Sequence, residues 1–119
     1  MRILLIDDSS TMRRIQKNQL AQLGITDILE AVDGKDGLAV LAENMPVDSI
    51  LLDWNMPVMD GIGFLKAARE KPEFNAIKII MCTSESEKNK VVEALKMGAN
   101  NYIVKPFTLA ALKEKLDLK

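Results

Sequence analysis

Acidic, hydroxyl and amine side chains stand directly after short apolar runs in this sequence. The runs have the length and composition of strands buried on both faces, as in a parallel sheet. The residues that directly follow them are Asp7 and Asp8, Asp53, Thr83 and Ser84, and Lys105. Because the carboxyl ends of parallel strands lie at one edge of a sheet, we expect these side chains to converge there.

Three carboxylates in one crevice repel one another and require a compensating charge. Two unit charges about 4 Å apart cost on the order of 4 kcal/mol at an effective dielectric constant of about 20. A divalent cation removes this cost, and oxygen ligands restrict the choice to magnesium, calcium or manganese. Magnesium fits best, because a few carboxylates hold it together with water and phosphate oxygens. We therefore expect Mg²⁺ as the cofactor, with Mn²⁺ as a substitute.

The same residues favour phosphoryl transfer to a carboxylate. The carboxylate of Asp53 can attack a phosphorus atom as a nucleophile. The cation and the Lys105 ammonium would neutralise phosphoryl oxygens, and the Thr83 hydroxyl would donate a hydrogen bond to one of them. Backbone N–H groups after Asp53 and after Thr83 would serve the remaining oxygens. The expected product is an aspartyl phosphate.

The composition excludes several other kinds of site. The 119 residues include no histidine and one cysteine, Cys82, which excludes a Ser-His-Asp triad, a Cys/His zinc site and an internal disulfide. The net charge is −1, from 16 basic and 17 acidic residues, so the chain lacks the basic surface of a nucleic-acid binder. No apolar run approaches the roughly 18 residues of a membrane span. We expect a cytoplasmic monomer that binds neither nucleic acid nor membrane.

Strand and helix patterns alternate five times along the chain. Strands are predicted at 3–6, 26–32, 47–52, 77–82 and 102–104, and apolar residues mark helices within 10–23, 38–42, 62–68, 91–95 and 109–116. The apolar side of the first helix is expected to include Ile15, and that of the fourth Val91, Val92 and Leu95. Residues 83–86 are expected to form a polar loop. Ser9 or Ser10 is expected to cap the first helix, and Asp60 the third. The alternation predicts a single α/β domain over 1–119, doubly wound as (βα)5, with a five-stranded parallel sheet. No output domain is expected after the fifth helix.

Four short motifs together resemble the receiver domain of two-component response regulators. They are Asp7-Asp8-Ser9, the segment Asp53-Trp54-Asn55-Met56-Pro57 followed by Asp60-Gly61, Thr83-Ser84, and Lys105-Pro106-Phe107. Each motif is weak alone, but the set covers essentially the whole chain. Within the family, the similarity is greatest to stand-alone chemotaxis regulators, on the basis of Asp53-Trp54-Asn55, Glu85 and Tyr102. The resemblance implies the strand order 2-1-3-4-5.

The resemblance also implies how a phosphoryl group would be bound. Asp53 would be the phosphoacceptor. Its phosphoryl group would be contacted by Lys105, by Thr83 and by the backbone N–H groups of Trp54, Asn55 and Ser84. The Lys105–Pro106 peptide bond would be cis, which proline makes accessible.

The resemblance assigns the metal ligands and the timing of the signal as well. Mg²⁺ would be bound by Asp8, Asp53 and the backbone carbonyl of Asn55, with Asp7 acting through water. Asn55 and Glu85 would flank the attacking water and tune dephosphorylation.

The phosphodonor would be a phosphohistidine on a partner kinase, since this chain has no histidine. Phosphorylation adds about two negative charges, and the hypothesis is that Thr83 moves toward them and frees space that Tyr102 fills. This switch would repack the face made by the fourth helix, the fifth strand and the fifth helix. Candidate partner-binding residues there are Lys88, Val91, Tyr102, Val104 and Lys115. The implied partners are the kinase, a flagellar switch protein or another phosphorylation-dependent target, and a phosphatase.

Two alternatives share these residues. A magnesium-dependent phosphohydrolase would use the same acids and lysine, but it normally needs a cap domain, for which 119 residues leave no room. Its general acid would also usually stand two positions after the nucleophile, where this chain has Asn55. A receiver that serves a phosphorelay or another non-motility partner is the second alternative. In either receiver reading the protein is a signalling switch rather than an enzyme.

Overall fold

A computed structural model describes residues 1–118, apart from the side chains at positions 85, 86 and 88. In this part of the chain five strands alternate with five α-helices. The strands are β1 (Arg2–Ile6), β2 (Asp27–Ala31), β3 (Ser49–Asp53), β4 (Lys78–Thr83) and β5 (Asn101–Val104). The helices are α1 (Ser10–Gln22), α2 (Gly34–Asn44), α3 (Gly61–Arg69), α4 (Val91–Lys96) and α5 (Leu109–Lys115). Two 3₁₀ segments, Pro72–Phe74 and Glu85–Lys90, precede β4 and α4.

The strands form one parallel sheet in the order β2-β1-β3-β4-β5, which confirms the predicted fold class and strand order. The register places Ile6 beside Leu52, and Asp53 beside Cys82. The segments that follow β1, β3, β4 and β5 therefore leave the sheet at one edge, its carboxyl edge. Of the helices that the structure describes, none has the length and apolar character needed to cross a bilayer.

Alternate residues of the central strands pack on opposite faces of the sheet. On one face, Leu4 belongs to a buried cluster with Phe64 of α3. On the other face, its neighbour Leu5 belongs to a second cluster with Leu112 of α5. All four of these side chains are fully buried. Because helices cover both faces, the central strands carry unbroken apolar runs at residues 3–6, 50–52 and 79–82, which is the pattern that predicted them.

The buried face of α1 differs from the prediction by one position. The sequence pattern placed Ile15 on the apolar side of this helix, but Ile15 is 46% exposed and Gln16 is 1% exposed. Residues four apart lie on the same face of a helix, so Gln16 shares the inner face with Leu20. Ser9 is the cap, and its hydroxyl accepts the N–H of Met12 at 3.1 Å.

The predicted apolar side of α4 is also wrong in part. Val91 is 6% exposed and lies on the buried face with Ala94, but Val92 is 59% exposed and Leu95 is 42% exposed. The segment before α4, predicted as a polar loop, is the 3₁₀ turn of residues Glu85–Lys90. Two apolar side chains of α4 therefore contribute to the surface next to β5.

Candidate functional site

The two aspartates after β1 differ in burial. Asp7 is 2% exposed, and its Oδ1 accepts the N–H of Ser9 at 2.9 Å. The Arg13 guanidinium donates to the backbone carbonyl of Asp7 at 2.5 Å and to Glu30 at 3.0 Å. Asp8, the next residue, is exposed. Asp7 is therefore held from both its side chain and its backbone, whereas Asp8 faces the open side of the site.

Asp53 is the last residue of β3 and is partly buried. The loop behind it is tied back by a hydrogen bond from the Gly61 N–H to the Trp54 carbonyl at 2.9 Å. Asp60 caps α3 by accepting the Gly63 N–H at 2.8 Å, as predicted. A Cβ atom at position 61 would collide with the carbonyl oxygen of Asp53. Glycine at this position allows α3 to begin directly against the end of β3.

Lys105 follows β5 and reaches across the carboxyl edge of the sheet. Its backbone N–H donates to the carbonyl of Thr83 at 2.7 Å, and the Lys105–Pro106 bond is cis, as the family resemblance implied. The Nζ atom lies 2.9 Å from Asp53 Oδ1 and 3.4 Å from Asp7 Oδ2. Residues from three strands thus meet at one point, which is the convergence that the sequence predicts.

The acidic side chains are arranged as a donor set that could hold a metal ion. Carboxylate oxygens of Asp7, Asp8 and Asp53 all lie within 4.8 Å of one another. Among the described side chains, one lysine, Lys105, contacts this cluster, so the three carboxylates outnumber the ammonium group there. Oxygen-only donors of this kind fit a hard divalent cation such as Mg²⁺.

Burial and neighbouring charge shift the pKa values of both partners in the central ion pair. Burial, with a further contribution from the charge of Asp7, raises the pKa of Asp53 above its ordinary value, and Lys105 offsets only part of this effect. Burial alone would lower the pKa of Lys105, but the hydrogen bond to Asp53 and the charges of Asp53 and Asp7 outweigh it and raise that pKa. Lys105 is therefore a permanent cation, whereas ionised Asp53 is held in an unfavourable environment.

β4 ends at Thr83, whose hydroxyl is predicted to donate to a phosphoryl oxygen. Thr83 is fully buried, and its Oγ1 donates to the carbonyl oxygen of Ser84 at 3.1 Å. The same carbonyl accepts the backbone N–H of Glu87 at 3.0 Å. The Thr83 hydroxyl is thus already paired within its own loop, and it must change partner in order to donate elsewhere.

Glu87 is a residue of the site that sequence reasoning missed. Its carboxylate accepts the Ser84 hydroxyl at 3.0 Å, the Ser84 backbone N–H at 3.4 Å and the Asn55 side-chain amide at 2.8 Å. It therefore joins the loop after β3 to the loop after β4. The only available signal was its position three residues after Ser84, which a 3₁₀ turn brings to the same side. The side chain of Glu85, which the resemblance assigned to dephosphorylation, lies outside the described residues.

The predicted partner-binding residues are only partly exposed. Tyr102, Val104 and Lys115 are half-buried, and the Lys115 Nζ lies 5.0 Å from the centroid of the Tyr102 ring. An open groove of about 470 Å³ runs along β5 and α5 beside them. Val91 is buried, so Val92 and Leu95 supply the exposed apolar surface of α4 instead. The side chain of Lys88 lies outside the described residues.

Trp54, although adjacent to Asp53 in the sequence, places its side chain in the core. It is 4% exposed and belongs to the cluster on the α3 face of the sheet. Its Nε1 has no hydrogen-bond partner among the described residues. Its backbone N–H lies toward the Asp53 carboxylate, whose pKa it helps to lower against the larger effect of burial. The predicted role of Trp54 thus falls on its backbone.

Comparison with known proteins gives consistent matches over nearly the whole chain. The family described as "Response regulator receiver domain" matches residues 3–117. Chemotaxis protein CheY1 of Helicobacter pylori is 50% identical over 118 residues, which are 99% of this chain and 95% of that protein. The chemotaxis protein CheY homolog of Campylobacter jejuni is 50% identical over 117 residues, 98% of this chain and 90% of that protein.

A solved structure shows the same fold. Chemotaxis protein CheY4 of Vibrio cholerae superposes with a TM-score of 0.87 at 34% identity, covering 98% of this chain and 95% of that chain. The sequence and structure matches confirm the family resemblance drawn from the four motifs.

Proposed function

The chain belongs to the response regulator receiver domain family, and we propose that it accepts a phosphoryl group on Asp53 from a histidine kinase. One observation carries this proposal. The Lys105 Nζ lies 2.9 Å from Asp53 and 3.4 Å from Asp7, so a nucleophile, an ammonium group and metal-binding carboxylates share one crevice. The receiver is a signalling switch, and the only reactions it promotes are its own phosphorylation and dephosphorylation.

The donor set of the crevice fits Mg²⁺. Asp8, Asp53 and the backbone carbonyl of Asn55 would hold the ion, with Asp7 acting through water. When bound, Mg²⁺ supplies positive charge that neutralises the carboxylates and the phosphoryl oxygens. The excess of three carboxylates over one ammonium group supports this assignment.

The transfer is a displacement at phosphorus. A carboxylate oxygen of Asp53 forms the new P–O bond while the P–N bond of the phosphohistidine breaks, and the electron pair leaves with the imidazole nitrogen. Lys105 shifts its hydrogen bond from Asp53 to a phosphoryl oxygen. The Thr83 hydroxyl donates to the others, together with the backbone N–H groups of Trp54, Asn55 and Ser84. No proton has to be removed from the nucleophile, because the carboxylate reacts in its ionised form.

The new phosphoryl group is the trigger of the switch. Thr83 gives up the Ser84 carbonyl, a neutral acceptor 3.1 Å away, for a charged acceptor that binds it more strongly. Tyr102 lies on the neighbouring strand, opposite Met81 in the register, and lines a cavity of about 340 Å³ with residues of α4. Movement of Thr83 frees space for the Tyr102 ring and repacks the surface between α4 and α5.

The downstream target binds this repacked surface, which we call the α4–β5–α5 face. It comprises Val92, Leu95, Tyr102, Val104 and Lys115. Two relatives at 50% identity are named chemotaxis proteins, which supports a flagellar switch protein as the target of a cytoplasmic, monomeric regulator. A target that moves the equilibrium from 1:99 to 99:1 must bind the switched form with about 5.5 kcal/mol of extra affinity. A phosphatase would end the signal.

Labelling with acetyl phosphate tests the phosphoacceptor. The wild-type chain in excess Mg²⁺ is expected to take up one phosphoryl group, and Asp53→Asn none. Asp27→Asn is the matched control, because Asp27 lies at the start of β2, away from the carboxyl edge, and should leave labelling unchanged. Chelation of the metal should abolish labelling, and an Mg²⁺ titration should change the fluorescence of Trp54. Labelling of Asp53→Asn, or continuous turnover of a phosphate ester, would refute the proposal and favour a phosphohydrolase.

Phosphorylation-dependent binding tests the target. The labelled wild-type chain is expected to retain a purified flagellar switch protein, and Asp53→Asn under the same conditions is not. Val92→Asp and Tyr102→Ala should each weaken this binding without reducing labelling. Retention of a different partner by the labelled chain, with no binding of the flagellar protein, would replace the motility assignment by a non-motility receiver.

A further inference from the structure

Glu87 occupies one hydrogen-bond donor that a phosphoryl group on Asp53 would need, the backbone N–H of Ser84, at 3.4 Å. Its carboxylate accepts the Ser84 N–H and hydroxyl and the Asn55 amide. Ser84 directly follows Thr83, and Asn55 stands two residues after the phosphoacceptor. Both donors therefore belong to the loops that enclose the reacting carboxylate.

We infer that Glu87 is an internal competitor of the phosphoryl group and thereby sets the rate at which Asp53 is phosphorylated. This inference rests on the proposed function. A carboxylate and a phosphoryl group are both anionic acceptors, and they cannot both take the single backbone N–H of Ser84. The bound Glu87 must withdraw before the site can close on a transferred phosphoryl group.

The local backbone keeps Glu87 in this position. Its own N–H donates to the Ser84 carbonyl at 3.0 Å while its carboxylate accepts from the N–H and the hydroxyl of Ser84. Ser84 and Glu87 thus form a closed ring of hydrogen bonds at the end of β4. The same carbonyl holds the Thr83 hydroxyl, so release of the ring loosens the contact that keeps Thr83 in its present state.

The charge of Glu87 acts in the same direction as its contacts. Phosphodonors are anionic, and Glu87 places a further negative charge beside an already acidic crevice. Repulsion between partly exposed charges is screened by salt, whereas a purely structural link between two loops is much less so. The dependence of the labelling rate on ionic strength therefore distinguishes an electrostatic competitor from a structural link between the two loops.

The variant Glu87→Gln tests this role, because it removes the charge and keeps the length of the side chain. With saturating Mg²⁺ at low salt, we expect its initial labelling rate by acetyl phosphate to exceed that of wild type by about three- to tenfold, the effect of losing one charge-assisted contact. The excess should shrink as salt is added. Glu87→Ala should behave similarly, and the affinity for beryllium fluoride, a phosphoryl analogue, should rise by a comparable factor.

Glu43→Gln is the matched control. Glu43 is exposed near the end of α2, where the neighbouring Asn44 carbonyl accepts from Arg2 at the start of β1, so it lies at the other edge of the sheet. Its substitution should leave the labelling rate unchanged. Wild-type labelling with an unchanged or slower rate for Glu87→Gln would overturn this inference alone. Absence of wild-type labelling would overturn the inference together with the proposed function.

Discussion

Each end of the sheet has a partly buried cation that bridges several loops, and the two cations have different kinds of partner. At the carboxyl edge, Lys105 contacts the carboxylates of Asp53 and Asp7 at 2.9 and 3.4 Å. At the opposite edge, Arg69 at the end of α3 donates to four backbone carbonyls and one side-chain amide oxygen. The carbonyls belong to Phe74, Ile77 and Gly98 at 2.9 Å and to Asn75 at 3.5 Å, and the amide oxygen to Asn100 at 2.9 Å.

The difference in partners gives the two cations different roles. Arg69 is a structural link between turns, which we call the Arg69 brace, whereas Lys105 is part of a site that can change state. Carbonyl and amide oxygens are neutral, so the Arg69 contacts occupy its five N–H donors without involving a carboxylate that a metal ion or an anion could displace. Gly98 adapts to this brace, because its φ of +112° suits glycine and a Cβ there would lie 2.7 Å from the Arg69 Cγ. Lys105 faces more negative charge than it can neutralise, and that imbalance is what a metal ion and a phosphoryl group can alter.

Removing the amine at the carboxyl edge should have the largest effect on chemistry. Lys105→Met is expected to lower the labelling rate by acetyl phosphate about 100-fold, because a positioned cation stabilises the charge on the transferring group. Initial rates at saturating Mg²⁺ measure this loss. Lys113→Met, an exposed lysine of α5, should leave the rate unchanged. If the labelling rate of Lys105→Met is within threefold of wild type, Lys105 has only a structural role, as Arg69 does.

Removing the brace should affect stability instead. Arg69→Met is expected to lower the free energy of unfolding by about 2–4 kcal/mol, because several acceptors lose their donor and are only partly rehydrated. Urea unfolding measures the change, with Lys66→Met on the same helix as control. Arg69→Lys should recover less than half of the loss, since one ammonium cannot replace the guanidinium fork. Slower labelling of the folded Arg69→Met chain would contradict the conclusion that Arg69 acts on stability alone.

The residues that meet at the carboxyl edge could be predicted from the sequence, because each one stands at the end of a predicted strand. Asp7, Asp53, Thr83 and Lys105 each end or directly follow an apolar run, and a parallel sheet brings those ends together. The two-face burial of the central strands also follows from their unbroken apolar runs. The identity of the residue and its distance from the strand end were sufficient information.

The opposite edge could not be predicted in this way. Four of the partners of Arg69 are backbone carbonyls, which every residue has, so no residue type marks them. Glu87 escaped notice for a related reason, since its role depends on a 3₁₀ turn in a segment that reads as a polar loop. The burial of Gln16 in α1 was not predicted, because a polar residue is expected at the surface. Its four-residue spacing from Leu20 places it on the buried face instead.

Replacing the phosphoacceptor should raise the free energy of unfolding, in contrast to the loss expected when Arg69 is replaced. Burial raises the pKa of Asp53 despite Lys105, so the folded state binds its proton more tightly than the unfolded state. The contribution of this carboxyl to stability is then fully present where it is protonated and is lost as the pH rises through its raised pKa. Asp53→Asn without metal at pH 7 is therefore expected to stabilise the chain by about 1 kcal/mol, a common gain when a strained functional group is replaced.

Urea unfolding with a chelator, at pH 4 and pH 7, measures this gain. The difference between the two pH values should be smaller in Asp53→Asn than in wild type. Asp27→Asn, an exposed acid at the far edge, should change neither stability nor its pH dependence by this amount. A destabilised Asp53→Asn chain would mean that the ion pair with Lys105 holds the fold in the same way as the Arg69 contacts.

The smallest effect is expected from the ion pairs that flank the carboxyl edge. Burial is the largest single effect on the pKa of Glu30 and raises it, but Lys17 and Arg13, at 3.2 and 3.0 Å, together outweigh burial and lower the pKa below the ordinary 4.5. Its contribution to stability is thus present above that pH and is lost as the pH falls through the lowered value. Because Glu30 is exposed, Glu30→Gln should cost no more than about 0.5 kcal/mol at pH 7, and less in high salt. A larger loss accompanied by slower labelling would show that Arg13, which also binds the Asp7 carbonyl, needs Glu30 to position the acidic crevice.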